Sequence, residues 1–251
     1  MVIVAAVSTG RTLTKVVRDF VDEYKAEDAE FVTYKPLTDD DIENLENEYD
    51  VILEHSSYKD VSVKGGDLDG ATIRVFAKPE KLNLYDVREG HEPGDGETLL
   101  TQDFADTHNI KVGDEISLGD HSYKVSAYTT KADYIYMLQT FTGFIDNEKF
   151  AVMIVDRQEY DKIDAEETAY YSIKYNKDNS KEVRKRLNMD YVIASYMAAT
   201  TNTRISMPVN EGDAVSNMAA MFAPVMFIIV LTLIVMVLGR NIKNEQYLLG
   251  T

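Results

Sequence analysis

The chain has 251 residues, with 43 Asp and Glu against 26 Lys and Arg and a net charge of −17. A surface that acidic repels phosphates, which excludes nucleic acid as a ligand of the charged part. There is no cysteine, so disulfides, thiolate metal sites and cysteine nucleophiles are excluded, and the composition suits life outside a reducing cytoplasm.

The opening MVIVAAVSTG is apolar over ten residues. It is too short to span a bilayer and lacks the positive lead of a signal peptide. It reads as an opening strand or as the outer end of a transmembrane helix. The next residues favour the helix. Leu13, Val16, Val17, Phe20, Val21 and Tyr24 recur at helical spacing, so residues 11–27 are expected to form an amphipathic helix leaving the membrane. Its stripe needs a partner, and residues 211–217 supply an opposing helix. The two are expected to pack as a stalk.

From Asp22 to Glu48 there are eleven acids against two bases, which is the pattern of a solvated helical face. Thr38 followed by Asp41 forms a capping-box-like pair, opening a short helix in PLTDDDIENLENEYD. Strands are expected at 51–63 and 71–78, joined by the turn KGGDLDG. Asp67 and Asp69 lie in that turn without the twelve-residue pattern of a calcium loop. GETLLT reads as a strand, QDFADTHNI as a helix, and VGDEISLGDHSYKVSAY as a hairpin turning at Gly119-Asp120. Alternating strands and helices from 150 to 196 suggest a β-α-β-α-β layer with its helices on one side.

No phosphate-binding loop, nucleophile elbow or zinc-protease motif is present, and His55, His91, His108 and His121 are scattered. His91, Glu92, Asp95 and Glu97 sit among Pro93, Gly94 and Gly96, which reads as a polar surface loop. The sequence therefore carries no catalytic, cofactor-binding or metal constellation, and no enzyme activity is expected.

Met218 to Leu238 is an uncharged run of 21 residues, twelve of them Leu, Ile, Val or Phe. As a helix it covers about 31 Å, the thickness of a bilayer core, so membrane lipid is its expected surroundings. Arg240 and Lys243 come after the run, whereas Glu211 and Asp213 precede it. Basic residues favour the cytoplasmic side. This predicts a bacterial cytoplasmic membrane protein with residues 11 to about 215 outside and the end inside.

One long stretch, LNLYDVREGHEPGDGETLLTQDFADTHNIKVGDEISLGDHSYKVSAY, resembles the outer domain of FtsX-like, MacB-type permease subunits of bacterial ABC transporters. The resemblance lies in Arg88-Glu89-Gly90, Glu97 opening a strand, Ala105 in a short helix, the Val112-Gly113-Asp114 turn and a hairpin ending near Val125. ADYIYML at 132–138 and GRNIKNEQYLLGT after the span add to it. The resemblance implies an α+β fold in which two small subdomains stand on a helical stalk, with a C-terminal transmembrane helix. The parts would be 1–10 (end of a membrane helix), 11–27 (stalk), 28–81 with 131–210 (β-α layer), 82–130 (an inserted smaller β-rich subdomain), 211–239 (stalk and span) and 240–251 (cytoplasmic start).

It further implies a piece of a longer permease. Its partners would be a cytoplasmic ABC ATPase, a second permease half or a second copy, and an extracytoplasmic substrate or protein. ATP-driven movement would reach the outer domain through the stalk, packed by Leu13, Val16, Val17, Phe20, Val21 and Tyr24. The rival reading is a single-pass, membrane-anchored binding or sensor protein.

Overall fold

The computed structural model describes the backbone of residues 2–249 and the side chains of residues 9–242. Helix α1 runs Val2–Glu23, so the apolar opening is helical rather than a strand. The chain then forms β1 (Ala29–Thr33), α2 (Asp39–Tyr49), β2 (Val51–Ser62), a 3-10 turn (Gly66–Leu68) and β3 (Thr72–Ala77). Next come β4 (Glu97–Thr101), α3 (Gln102–Thr107), β5 (Glu115–Leu118), β6 (His121–Thr129) and β7 (Phe150–Val155). The rest is α4 (Arg157–Lys162), β8 (Glu167–Tyr175), α5 (Ser180–Asp190), β9 (Ile193–Ala198) and α6 (Thr203–Leu249).

The fold is α+β, built on one mixed sheet of nine strands in the order β5-β6-β4-β7-β3-β2-β8-β1-β9. Strands β1, β2, β8 and β9, with α2 and α5, make a split β-α-β arrangement in the order β9-β1-β8-β2. Its core is Phe31, Leu45, Leu53, Ile173, Val183 and Leu187. Everything from β3 to α4 is inserted between β2 and β8.

The strands of 82–130 do not form a sheet of their own. They continue the nine-stranded sheet because β4 pairs with β7 at Leu99–Ile154 and Leu100–Met153. Both leucines are fully buried, one against each face of the sheet. Likewise β7, β8 and β9 are not neighbours, because β3 and β2, then β1, take the hydrogen-bonding positions between them.

Register fixes which side faces what. Leu53 lies opposite Ile173, and Ile73 opposite Ala151, so α2, α3, α4 and α5 all cover the same face. Helix α2 starts where Thr38 caps it: Asp41 N–H donates to Thr38 Oγ1 at 3.2 Å, and Thr38 N–H donates back to Asp41 at 2.9 Å. The opposite face of the sheet is covered by the loop of residues 131–143, which contributes Tyr134 and Met137 to a third core with Phe76, Leu99 and Tyr170.

Residues Arg18–Pro208 form one compact unit. The residues up to Val17 and those from Val209 onward form a second, made of α1 and α6. Within α6, Thr203–Ile242 is long and apolar enough to cross a membrane, with a mean hydropathy of 2.9 over its most apolar window.

Candidate functional site

Two features hold polar or small residues where ordinary packing would place apolar ones. The first is the crossing of α1 and α6. A Cβ added to Gly10 would lie 2.5 Å from Ser216 Oγ and 2.7 Å from the Gly212 carbonyl. One added to Gly212 would meet Thr14 Oγ1 and come within 3.0 Å of the Gly10 carbonyl. Only glycine permits backbones this close, the small-residue mode of helix association used in membranes. Thr14 Oγ1 donates to Asp213 Oδ1 at 3.2 Å across the same crossing. Gly10 meets Ser216 while Thr14 meets Asp213, so the helices run antiparallel.

Thr14 and Val17 are buried, whereas Leu13 and Val16 are 43 % and 58 % exposed. The packed side of α1 in this unit is thus Gly10-Thr14-Val17, and Leu13 and Val16, expected in the stripe, point outward. Phe20, Val21 and Tyr24 are half-buried, with the rings of Phe20 and Tyr24 4.6 Å apart. Arg240 is exposed. The side chain of Lys243 lies outside the described residues.

The second feature is a buried charge network on the face of the sheet opposite the helices. Glu27 is buried, and Asn83 clamps it. Glu27 N–H donates to Asn83 Oδ1 at 2.9 Å, and Asn83 Nδ2 donates to Glu27 Oε2 at 2.8 Å and to Ser172 Oγ at 3.0 Å. Asn83 is held at φ 52°, a left-handed conformation that Asn tolerates better than most residues. Glu27 Oε1 has no hydrogen-bond partner among the described residues. Burial, then the charges of Asp133 and Glu30, push the Glu27 carboxyl up to about 8, against the pull of Asn83 and Ser172. Burial also raises Glu30, with Arg204 opposing.

Cations answer these acids. Lys131 and Asp133 pair at 2.6 Å, both side chains 3 % exposed. Arg74 grips Asp60 through Nε and Nη2 at 2.7 and 2.6 Å and donates to Tyr134 Oη at 2.7 Å. Arg204, in the first turn of α6, donates to the Leu138 and Gln139 carbonyls at 2.9 and 3.0 Å. Its guanidinium lies 4.3 Å from the Tyr134 ring and 4.4 Å from that of Phe141. The network fastens loop 131–141 and the first turn of α6 beneath the sheet. Its acids and cations answer one another, so its chemistry is that of charge compensation.

Nothing in local spacing announced this network. Its acids and bases lie at 27, 30, 60, 74, 131, 133 and 204, and only the fold gathers them. The loop of His91 is an exposed turn: His91 Nδ1 sits 2.9 Å from the Glu92 carbonyl and 3.7 Å from Glu97, and Glu92 accepts from Tyr85 Oη at 2.8 Å. Asp69 accepts from Gly65 N–H at 2.6 Å, closing its own turn. Among the described residues no group of three His, Asp or Glu is placed to hold a metal ion.

No protein-family model matches the chain, and no curated protein matches it. Among solved structures, it is similar to a Bacillus anthracis protein described as a lipoprotein, with 10 % identity and a TM-score of 0.33. That match covers 67 % of this chain and 95 % of the other.

Proposed function

We propose that the chain is the extracytoplasmic domain and one membrane helix of an FtsX-like permease subunit of an ABC transporter. In this reading α1 and α6 pass movement driven by a separate cytoplasmic ATPase to residues 18–208, which handle a substrate or partner protein outside. The observation that carries it is the glycine-lined crossing at Gly10 and Gly212. A tether needs only one membrane helix, and α6 alone provides it. A second helix locked to it at backbone contact is what a transmitting element requires. Val17 packs in that pair, Phe20 and Val21 continue α1 beyond it, and Tyr24 follows its last residue. Leu13 and Val16, exposed on α1, are left to face further parts of the whole permease outside the membrane. Arg240 and Lys243 hold the end of the span on the cytoplasmic side.

The absence of cysteine gives a direct test. A Thr14→Cys/Asp213→Cys variant, placed at the 3.2 Å contact, is expressed in the native membrane and oxidised. Co-purification of a nucleotide-binding subunit, whose coupled ATP hydrolysis falls on oxidation and returns on reduction, supports the reading. No associated ATPase in native membranes sinks it in favour of a single-pass anchored binding protein.

A further inference from the structure

Strand β9 is one end of the sheet and bonds on one side only, to β1. Proteins ordinarily blunt such an edge with charge, proline or brevity. The opposite edge obeys: β5 has four residues and exposes Glu115. β9 does not. Its sequence, Ile-Ala-Ser-Tyr-Met-Ala, has neither charge nor proline.

Ala199 N–H donates to Asp28 O, so by alternation Met197 and Ser195 bond to β1. Tyr196 therefore turns its N–H and C=O outward, and Ala198 its N–H. The register shift between Val32 and Thr33 leaves Ala194 as a bulge, so regular pairing is available over Ser195–Ala198.

Beside this edge runs a groove of about 520 Å³ between β9 and α5. Lys181, Arg184 and Lys185 line it, all exposed, and among the described residues no carboxylate does. Arg184 stacks at 4.3 Å over the Tyr196 ring, which shows that α5 lies over the side of the strand to which Tyr196 points. Arg186 is already paired with Asp190 at 2.7 Å and stands outside the groove. A chain of net charge −17 thus concentrates cations along its one unguarded edge. At physiological salt a local cluster dominates within a Debye length of about 8 Å.

We propose that β9 takes an extended acidic segment of a partner protein, added to the sheet as a further strand. Main-chain bonds to Tyr196 and Ala198 would supply the pairing, as in β-strand addition generally. Because side chains alternate across a strand, every second residue of the incoming segment would face α5, and carboxylates there would meet Lys181, Arg184 and Lys185. The inference rests on the edge and its groove and does not depend on the permease reading.

The test uses the full chain in detergent micelles and a synthetic peptide alternating Glu and Thr, with a Lys–Thr peptide as control. The Glu–Thr peptide is expected to bind, to slow amide exchange at Tyr196, and to weaken as salt rises. Lys181→Glu/Lys185→Glu is expected to lose about tenfold or more in affinity, and the milder Lys181→Gln/Lys185→Gln to fall between. Absence of binding overturns the proposal. So does binding without protection of Tyr196, equal binding by the charge-reversed variant, or binding of anionic lipid vesicles through the same lysines in place of the peptide.

Discussion

Gly10 and Gly212 meet backbone to backbone: a methyl group on Gly10 would stand 2.7 Å from the Gly212 carbonyl oxygen. No side-chain rotation relieves that contact, so a larger residue must push the helices apart. Gly212→Leu is expected to destabilise the pair by about 1–3 kcal/mol or more and to abolish oxidative crosslinking in the Thr14→Cys/Asp213→Cys background. Gly239 lies on the same helix with nothing within 4 Å of its added Cβ, so Gly239→Leu should crosslink normally. Equal crosslinking of the two variants would mean that the crossing does not hold α1 and α6 together.

Glu27 supplies a pH dependence with a definite sign. Its carboxyl is raised from 4.5 to about 8 in the folded chain, first by burial and then by Asp133 and Glu30. Between those values the folded state holds a proton that the unfolded state has released. The stabilisation is therefore complete below about pH 4.5 and is lost as pH rises through 8, with a slope of at most about 1.4 kcal/mol per unit. Burial raises Glu30 too, which acts in the same direction. Thermal unfolding followed from pH 5 to 8.5 should show a falling midpoint, and Glu27→Gln should flatten it by keeping an uncharged group beside Asn83. A wild-type midpoint independent of pH over that range would show that Glu27 is ionised throughout.

Much of this fold was written locally. Thr38 and Asp41 announced the start of α2, and Gly119-Asp120 the β5–β6 hairpin, because caps and tight turns are made by residues a few positions apart. The strand order was not legible, since the burial of Leu99 and Leu100 on opposite faces depends on which distant strand arrives beside them. An opposing helix at 211–217 was expected, but the residues at the crossing were missed for a sharper reason. A search for apolar stripes favours Leu13 and Val16, which are exposed, and overlooks Gly10, whose value is the side chain it lacks. The charge network escaped likewise, its members separated by up to 177 positions between Glu27 and Arg204.

Gly90 is constrained by contact rather than by a left-handed backbone. An added Cβ would collide with the Ser126 carbonyl and lie 2.8 Å from Ala127 Cβ, where His91 N–H donates to that same carbonyl at 3.2 Å. Gly90→Ala is expected to cost about 1–3 kcal/mol by forcing the 88–91 segment off β6. Gly96→Asn is the contrasting change, because nothing lies within 4 Å and Asn tolerates its φ of +69°. Denaturant titration separates them. A Gly90→Ala variant as stable as its parent would mean that the segment shifts freely.

Arg204 offers the strongest single handle on loop 131–141. Arg204 is buried, and its guanidinium donates to two carbonyls of that loop and lies against the rings of Tyr134 and Phe141. Thr203 Oγ1 adds a bond to the Phe141 carbonyl at 2.8 Å, and Tyr136 N–H returns one to Arg204 O at 3.1 Å. Arg204→Ala strands the Leu138 carbonyl, leaves the Gln139 carbonyl only the 3.4 Å bond from Arg74 Nη1, and takes from Glu30 the larger of the two charges that oppose its burial, a loss of about 2–4 kcal/mol. Arg204→Lys should fall between, because one ammonium cannot serve two carbonyls and two ring faces together. Amide exchange should quicken first at Tyr136 and Leu138, whose amides bond within this loop and to Arg204. Unchanged exchange at Tyr136 in Arg204→Ala would mean that the loop is held by Arg74 and Tyr134 alone, and that the first turn of α6 can move without disturbing the sheet.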